Sequence, residues 1–337
     1  MSDKIALGID VGTMNLVCTR SDTPENVNLM RNVFLKLDPD NFNISEMNDI
    51  SYVKNDEGEI FIIGQDAFRL ANIFGHEVSR PMEKGLISQK EIGAIDVLTI
   101  MIKNLIGDIG GKDAYCCYSI PAESIDENRS VTYHEKVFGN ILNNLNINSS
   151  PINEAMAIIY SNCAQEKFSG IALSFGAGMM NCACSFKGIE IMKFSTARSG
   201  DWIDKSVAES LGIVPNRVTG VKEKNFDLQM GHLQESNKKT KRILEALHYY
   251  YENLISYSIK KIISKFEDDI DTEIEESIPI IISGGTSLPN GFIEMFKEQL
   301  NKNKLPFEIS EIRRATNPLH AVAQGMLIKC SSDIKKM

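Results

Sequence analysis

Three short stretches carry residues whose type and spacing suit phosphate chemistry: GIDVGTMN (8–15), LSFGAGMMN (173–181) and IIISGGTSLPNGF (280–292). Each belongs to an apolar run that reads as a buried strand, and each turns on glycine. Backbone N–H groups in such turns aim several partial positive charges at one point, and glycine lets a phosphate come close. Asp10 lies two residues before Gly12, where its carboxylate would point toward phosphates and hold a metal ion; equally, it could satisfy turn amides. Two residues before Gly176, as Asp10 is before Gly12, stands Ser174. A serine hydroxyl can bond a water, but it has no charge to attract a cation or to act as a base.

These turns need strands and helices to hold them. IALGIDVG (5–12) ends in glycine, and NLVCTR (15–20) continues after a tight hairpin turn. Further strands are expected at 59–64, 113–122, 170–176, 180–197 as a meander, and 278–283. Apolar spacing predicts helices over 65–74, 92–109, 124–145, 151–162, 201–212, about 236–266, 292–303 and 319–330. Residues 36–50 are polar and turn-rich and mark a loop or the edge of an insertion. Blocks of strand–turn–strand followed by helices occur twice, from residue 5 and from residue 171. The glycines lie between strands rather than opening a helix, which excludes a single Rossmann unit. The expected fold is a duplicated α/β architecture with a cleft between its halves.

At 337 residues the chain exceeds one typical core, so two domains or lobes are expected. A net charge of −9 argues against direct nucleic-acid binding; any DNA contact would go through an adaptor. The seven cysteines form no C-x-x-C and the histidines no H-x-x-x-H, so zinc is not expected. Scattered among apolar residues, they fit reduced, buried thiols. The N-terminus lacks a signal-peptide pattern, and no run approaches the ~18–20 apolar residues of a membrane span, so a cytoplasmic protein is expected. The run KKTKR (238–242) reads as the exposed start of the long helix or as a surface for an anionic partner.

With five motifs in this order, the chain resembles the actin-like ATPase superfamily over essentially its full length. GIDVGTMN is similar to the first phosphate loop, LSFGAGMMN to the second and IIISGGTSLPNGF to the adenosine motif. PINEAMAIIY (151–160) and NPLHAVAQGMLI (317–328) resemble the two connecting helices. GQDAFRLANIFGHEVSRPMEKGLI (64–87) and SGDWIDKSVAESLG (199–212) resemble segments of the bacterial rod-shape actins. The resemblance implies two duplicated ribonuclease-H-like lobes around a nucleotide cleft. One core would comprise 1–30, 80–165 and 318–337, with 31–79 inserted; the other would comprise 166–200 and 256–317, with 201–255 inserted.

The resemblance also implies site residues. Gly12, Thr13, Met14 and Asn15 would meet the β-phosphate, and Gly176, Ala177 and Gly178 the β- and γ-phosphates. Asp10 would hold Mg²⁺ through water. Glu154 would orient or deprotonate the attacking water, although a glutamate in a first helical turn is also favourable with no function. Gly200 and Asp201 would lie against the ribose; Asp201 could instead be a helix N-cap. Lys222 and Glu223 would frame purine and ribose, unless KEKN is a solvated charge run. Gly284, Gly285, Thr286 and Leu288 would line the adenine side. Where the resembling proteins carry an aspartate, this chain has Ser174, so slow hydrolysis is expected and Ser174→Asp is expected to speed it. The expected function is an ATP-Mg²⁺-dependent filament whose partner is a second copy of itself. Membrane contact stays open, with ANIFG (71–75) either an apolar loop or a helix end. A non-polymerising ATP-binding scaffold and a chaperone-like ATPase are the alternatives.

Overall fold

In the computed structural model, which describes residues 4–37, 50, 52–55, 57–74, 78–88, 93–229, 235–269, 274, 276–303 and 305–337, the chain divides into two units. Unit one comprises Met1–Ile120, Ser130–Asn153 and Val322–Met337; unit two comprises Pro121–Arg129 and Glu154–Ala321.

Unit one begins with β1 (Ile5–Val11), β2 (Asn15–Arg20) and β3 (Val27–Arg31). A small sheet of β4 (Phe34–Leu37), β5 (Tyr52–Lys54) and β6 (Ile60–Ile63) follows, with α1 (Gly64–Phe74) and the hairpin β7 (Met82–Glu83) and β8 (Leu86–Ile87). Then come α2 (Ala94–Ile106), β9 (Ala114–Ile120), α3 (Thr132–Asn144) and β10 (Asn148–Asn153). The main sheet has the order β10-β9-β1-β2-β3, antiparallel through β1, β2 and β3 and parallel through β1, β9 and β10. Ile5, Leu7 and Ile9 of β1 share a core with Val97, Leu98 and Met101 of α2.

Unit two runs α4 (Glu154–Asn162), β11 (Gly170–Phe175), β12 (Met180–Phe186), β13 (Ile189–Thr196), α5 (Gly200–Leu211), α6 (Pro215–Asn225), α7 (Lys238–Asp269), β14 (Ile278–Ser283), α8 (Phe292–Asn301) and β15 (Ile309–Arg314). Its sheet order, β13-β12-β11-β14-β15, repeats the first arrangement: an antiparallel meander on one side and two parallel strands on the other. The duplication expected from the two strand–turn–strand blocks is therefore present. Leu247, Tyr251, Leu254, Ile255 and Ile259 of α7 recur at helical spacing and are buried against this sheet's core.

The last helix, α9 (Ala321–Ile334), enters unit one. A Cβ on Gly8 would lie 2.3 Å from Ala323 O, and the Thr19 hydroxyl donates to that carbonyl at 2.9 Å. Glycine at position 8 is what lets helix and strand come this close.

Three expected element boundaries differ. The helix over 151–162 starts only at Glu154, because Pro151–Asn153 complete β10 alongside β9. The helix over 124–145 is confined to α3, since Ser124 bridges to Ser195 and Pro121–Arg129 lies in unit two. Helix α5 takes Ser199 as its N-cap, so Asp201 sits inside the first turn and is not the cap. Of the polar stretch 36–50, residues 38–49 lie outside the described residues. ANIFG is the end of α1, with Ile73 67% exposed and Gly75 outside the described residues.

The described cysteines are all free and buried. Burial pushes the Cys184 thiol up to about 12, so the packing role expected for it stands. No helix among the described residues is long and apolar enough to cross a membrane.

Candidate functional site

The first turn, in unit one, is closed by Gly12 N donating to Asn15 O at 3.0 Å. A Cβ on Gly12 would fall 2.5 Å from that carbonyl, so the turn requires glycine. Asn32 braces it from the end of β3: its Nδ2 donates to Gly12 O at 2.9 Å and its backbone N to Met14 O at 2.8 Å. The Thr13 hydroxyl accepts from Gly85 N at 2.9 Å, which ties the turn to the β7–β8 hairpin. Behind the turn, the Ser119 hydroxyl of β9 accepts from Val11 N at 2.7 Å and donates to Asp10 Oδ1 at 3.0 Å.

Asp10 is a carboxylate short of partners. Burial pushes its pKa up to about 6, against the smaller opposing effect of the Ser119 hydroxyl. Asn32 Oδ1 is also buried, with no hydrogen-bond partner among the described residues. The desolvated Asp10 carboxylate is an acceptor of the kind that suits a hydrated divalent cation. No cluster of three or more His, Cys, Asp or Glu side chains among the described residues could hold a metal ion. Asp10 would therefore act as a lone carboxylate toward Mg²⁺.

The second turn, in unit two, repeats the first: Gly176 N donates to Met179 O at 3.0 Å. In this repeat Ser174 takes the place of Asp10, two residues before the closing glycine. Ser174 pairs directly across the ladder with Asn181 of β12, so both side chains project from one face of the sheet. On that face α4 begins, and its first residue, Glu154, receives both. The Ser174 hydroxyl donates to Glu154 Oε1, and Asn181 Nδ2 donates to Oε2 at 2.9 Å. The Asn181 amide is itself oriented, because its Oδ1 accepts from Ala122 N at 2.9 Å. Ser174 and Asn181 are 2% and 1% exposed, so these donors have no bulk water to turn to.

Two more predicted segments meet at one atom of this turn. The Gly176 carbonyl accepts from Gly200 N at 3.2 Å, Ser199 Oγ at 2.6 Å and Thr286 Oγ1 at 2.7 Å. Asp201 N adds a bond to Ala177 O at 2.8 Å. The fit leaves no room for side chains: a Cβ on Gly200 would lie 2.5 Å from Thr286 Oγ1, and one on Gly284 2.3 Å from Phe175 O. Gly284 also has φ +91°, in the region that favours glycine. Gly285 begins a 3₁₀ turn (Gly285–Ser287), and Leu288 just beyond it is 41% exposed.

Lys222 and Glu223 separate. The Lys222 ammonium reaches Asp204 Oδ1 at 2.6 Å and Gly200 O at 3.4 Å, while Thr219 Oγ1 donates to Asp204 Oδ2 at 2.6 Å. Burial raises the Asp204 pKa, and Lys222 and Thr219 oppose that rise. Lys222 is thus committed to a buried ion pair behind the α5 N-terminus, whereas Glu223 is exposed on α6. Sequence reasoning missed Ser119, Asn181, Ser199 and Asp204. Asn181 carried a signal, as a polar residue in an apolar strand. Its partner is fixed by strand register.

A family model described as Volactin matches residues 5–330. The chain belongs to the Volactin family. Nothing among curated proteins matches this family member significantly. Solved structures reveal its fold. It is similar to the MamK double helical filament at 16% identity, with a TM-score of 0.69 over 98% of this chain and 99% of that one. MreB5 of Spiroplasma citri bound to AMPPNP is similar at 13% identity and a TM-score of 0.68, over 100% and 99% of the two chains. The ethanolamine utilization protein EutJ from Carboxydothermus hydrogenoformans is similar at 15% identity and a TM-score of 0.56, over 97% and 91%. This Volactin-family chain therefore has the actin-like fold of the MamK and MreB proteins.

Proposed function

We propose that the chain is a cytoplasmic, cytoskeletal actin-like protein that binds ATP or another nucleoside triphosphate with Mg²⁺ and assembles into filaments of itself. The observation that carries this reading is the Gly176 carbonyl, on which the second glycine turn, the start of α5 and the 283–287 turn converge. Glycine at 200 and 284 is what lets these segments close on one another, because a Cβ there would strike Thr286 Oγ1 and Phe175 O. Support for assembly comes from the full-length likeness to MamK, solved as a filament, and support for nucleotide binding from that to MreB5, solved with AMPPNP.

Mg²⁺, when bound, would neutralise phosphate charge, and Asp10 would hold it through water. Thr13, Met14 and Asn15 would offer backbone and side-chain donors at the first turn, and Ala177 and Gly178 at the second. Glu154, held by Ser174 and Asn181, would orient the attacking water and take its proton.

Sedimentation of the purified chain with and without ATP-Mg²⁺, followed by negative-stain imaging, tests the reading. Nucleotide-dependent pelleting and visible filaments are expected. A strict monomer at micromolar concentration that still binds ATP would favour a non-polymerising scaffold, and absence of nucleotide binding would remove both.

A further inference from the structure

We propose that Ser174 and Asn181 are a pair of positioning residues that orient Glu154 and hold it ionised, so that Ser174 contributes through Glu154 instead of replacing a lost carboxylate. The role rests on the reading of Glu154 as the residue that orients the attacking water. Three features of unit two carry it. Ser174 and Asn181 are direct cross-strand partners and present their side chains on one face. Each donates to a different oxygen of the same carboxylate. The Asn181 amide cannot turn its oxygen toward Glu154, because Oδ1 accepts from Ala122 N.

Two donors on one carboxylate favour its charged form. They also fix its plane, leaving the remaining lone pairs aimed in set directions. An aspartate at 174 could not do this. Two carboxylates in hydrogen-bond contact cannot both ionise, so they would share a proton and Glu154 would lose strength as a base. Buried at 2% exposure, Ser174 has no bulk solvent to relieve such a clash. In this role Ser174→Asp slows hydrolysis, the opposite of the outcome expected from the sequence.

The test uses the full-length protein in four forms: wild type, Ser174→Ala, Ser174→Thr and Ser174→Asp. The Glu154 side chain is followed by ¹³C NMR across pH, and phosphate release from ATP-Mg²⁺ is measured over the same range. In Ser174→Ala the Glu154 titration should move to higher pH. Turnover should fall about tenfold, with the acid limb of the pH–rate profile moving the same way. Ser174→Thr, which keeps the hydroxyl, should restore both, and Ser174→Asp should be slower than wild type. An unshifted Glu154 titration in Ser174→Ala, or a Ser174→Asp faster than wild type, would overturn the proposal even if ATP binding stands. A wild-type chain that binds no nucleotide would overturn the underlying reading, and this role with it.

Discussion

Asp10 shows how one residue can be both a cost to the fold and a candidate ligand. Its pKa is raised to about 6 by burial, so folding favours the protonated form. The stability this contributes is fully present below the unfolded value near 4 and is lost as pH rises through 6. In metal-free protein, Asp10→Asn should therefore be more stable than wild type by roughly 1–3 kcal/mol at pH 7.5. The gain should vanish near pH 4, as read from urea midpoints. His134 acts in the opposite sense. It is 1% exposed, neither ring nitrogen has a hydrogen-bond partner among the described residues, and burial lowers its pKa to about 4. Its contribution is present above pH 6.5 and lost as pH falls toward 4, at up to about 1.4 kcal/mol per pH unit. His134→Leu should flatten that acid loss, and Asp10→Asn should steepen it by removing the opposing term.

At the scale of elements, unit two depends on close backbone contacts that only glycine permits. Gly200→Ala should cost about 1–3 kcal/mol, because its Cβ meets Thr286 Oγ1 at 2.5 Å. Thr286→Ala alone should also destabilise, by removing the bond to Gly176 O. Combined, the two should cost less than their sum, since the second removes the atom that the first strikes. A double-mutant cycle by chemical denaturation measures the difference; strict additivity would mean the turns do not touch as described. Much of this was legible in the sequence. Gly12, Gly176 and Gly284 were evident because a glycine after a buried apolar strand is a local signal. Asn181 was not, because its meaning depends on register: Ser174↔Asn181 pairing follows from how the 176–179 turn closes. The start of α4 was misplaced for the same reason, as Pro151 joins a strand whose partner, β9, is distant in sequence.

For the whole molecule, charge governs association. Each copy carries −9, so copies repel at long range under the filament reading. Raising salt from about 0.05 M to about 0.2 M shortens the screening length to under ~10 Å. The pelleted fraction at fixed ATP-Mg²⁺ should therefore rise with salt. A fall would point to assembly held by charge pairs between copies.

The sequence by itself determined the duplicated α/β plan, the positions of the glycine turns and the absence of a carboxylate at 174. Hydrophobic period and turn chemistry are written in neighbouring residues. Only the tertiary structure decided that Ser174 and Asn181 both donate to Glu154, that Lys222 is bound to Asp204, and that three turns share the Gly176 carbonyl. Those facts depend on strand register and helix placement, which bring together residues far apart along the chain.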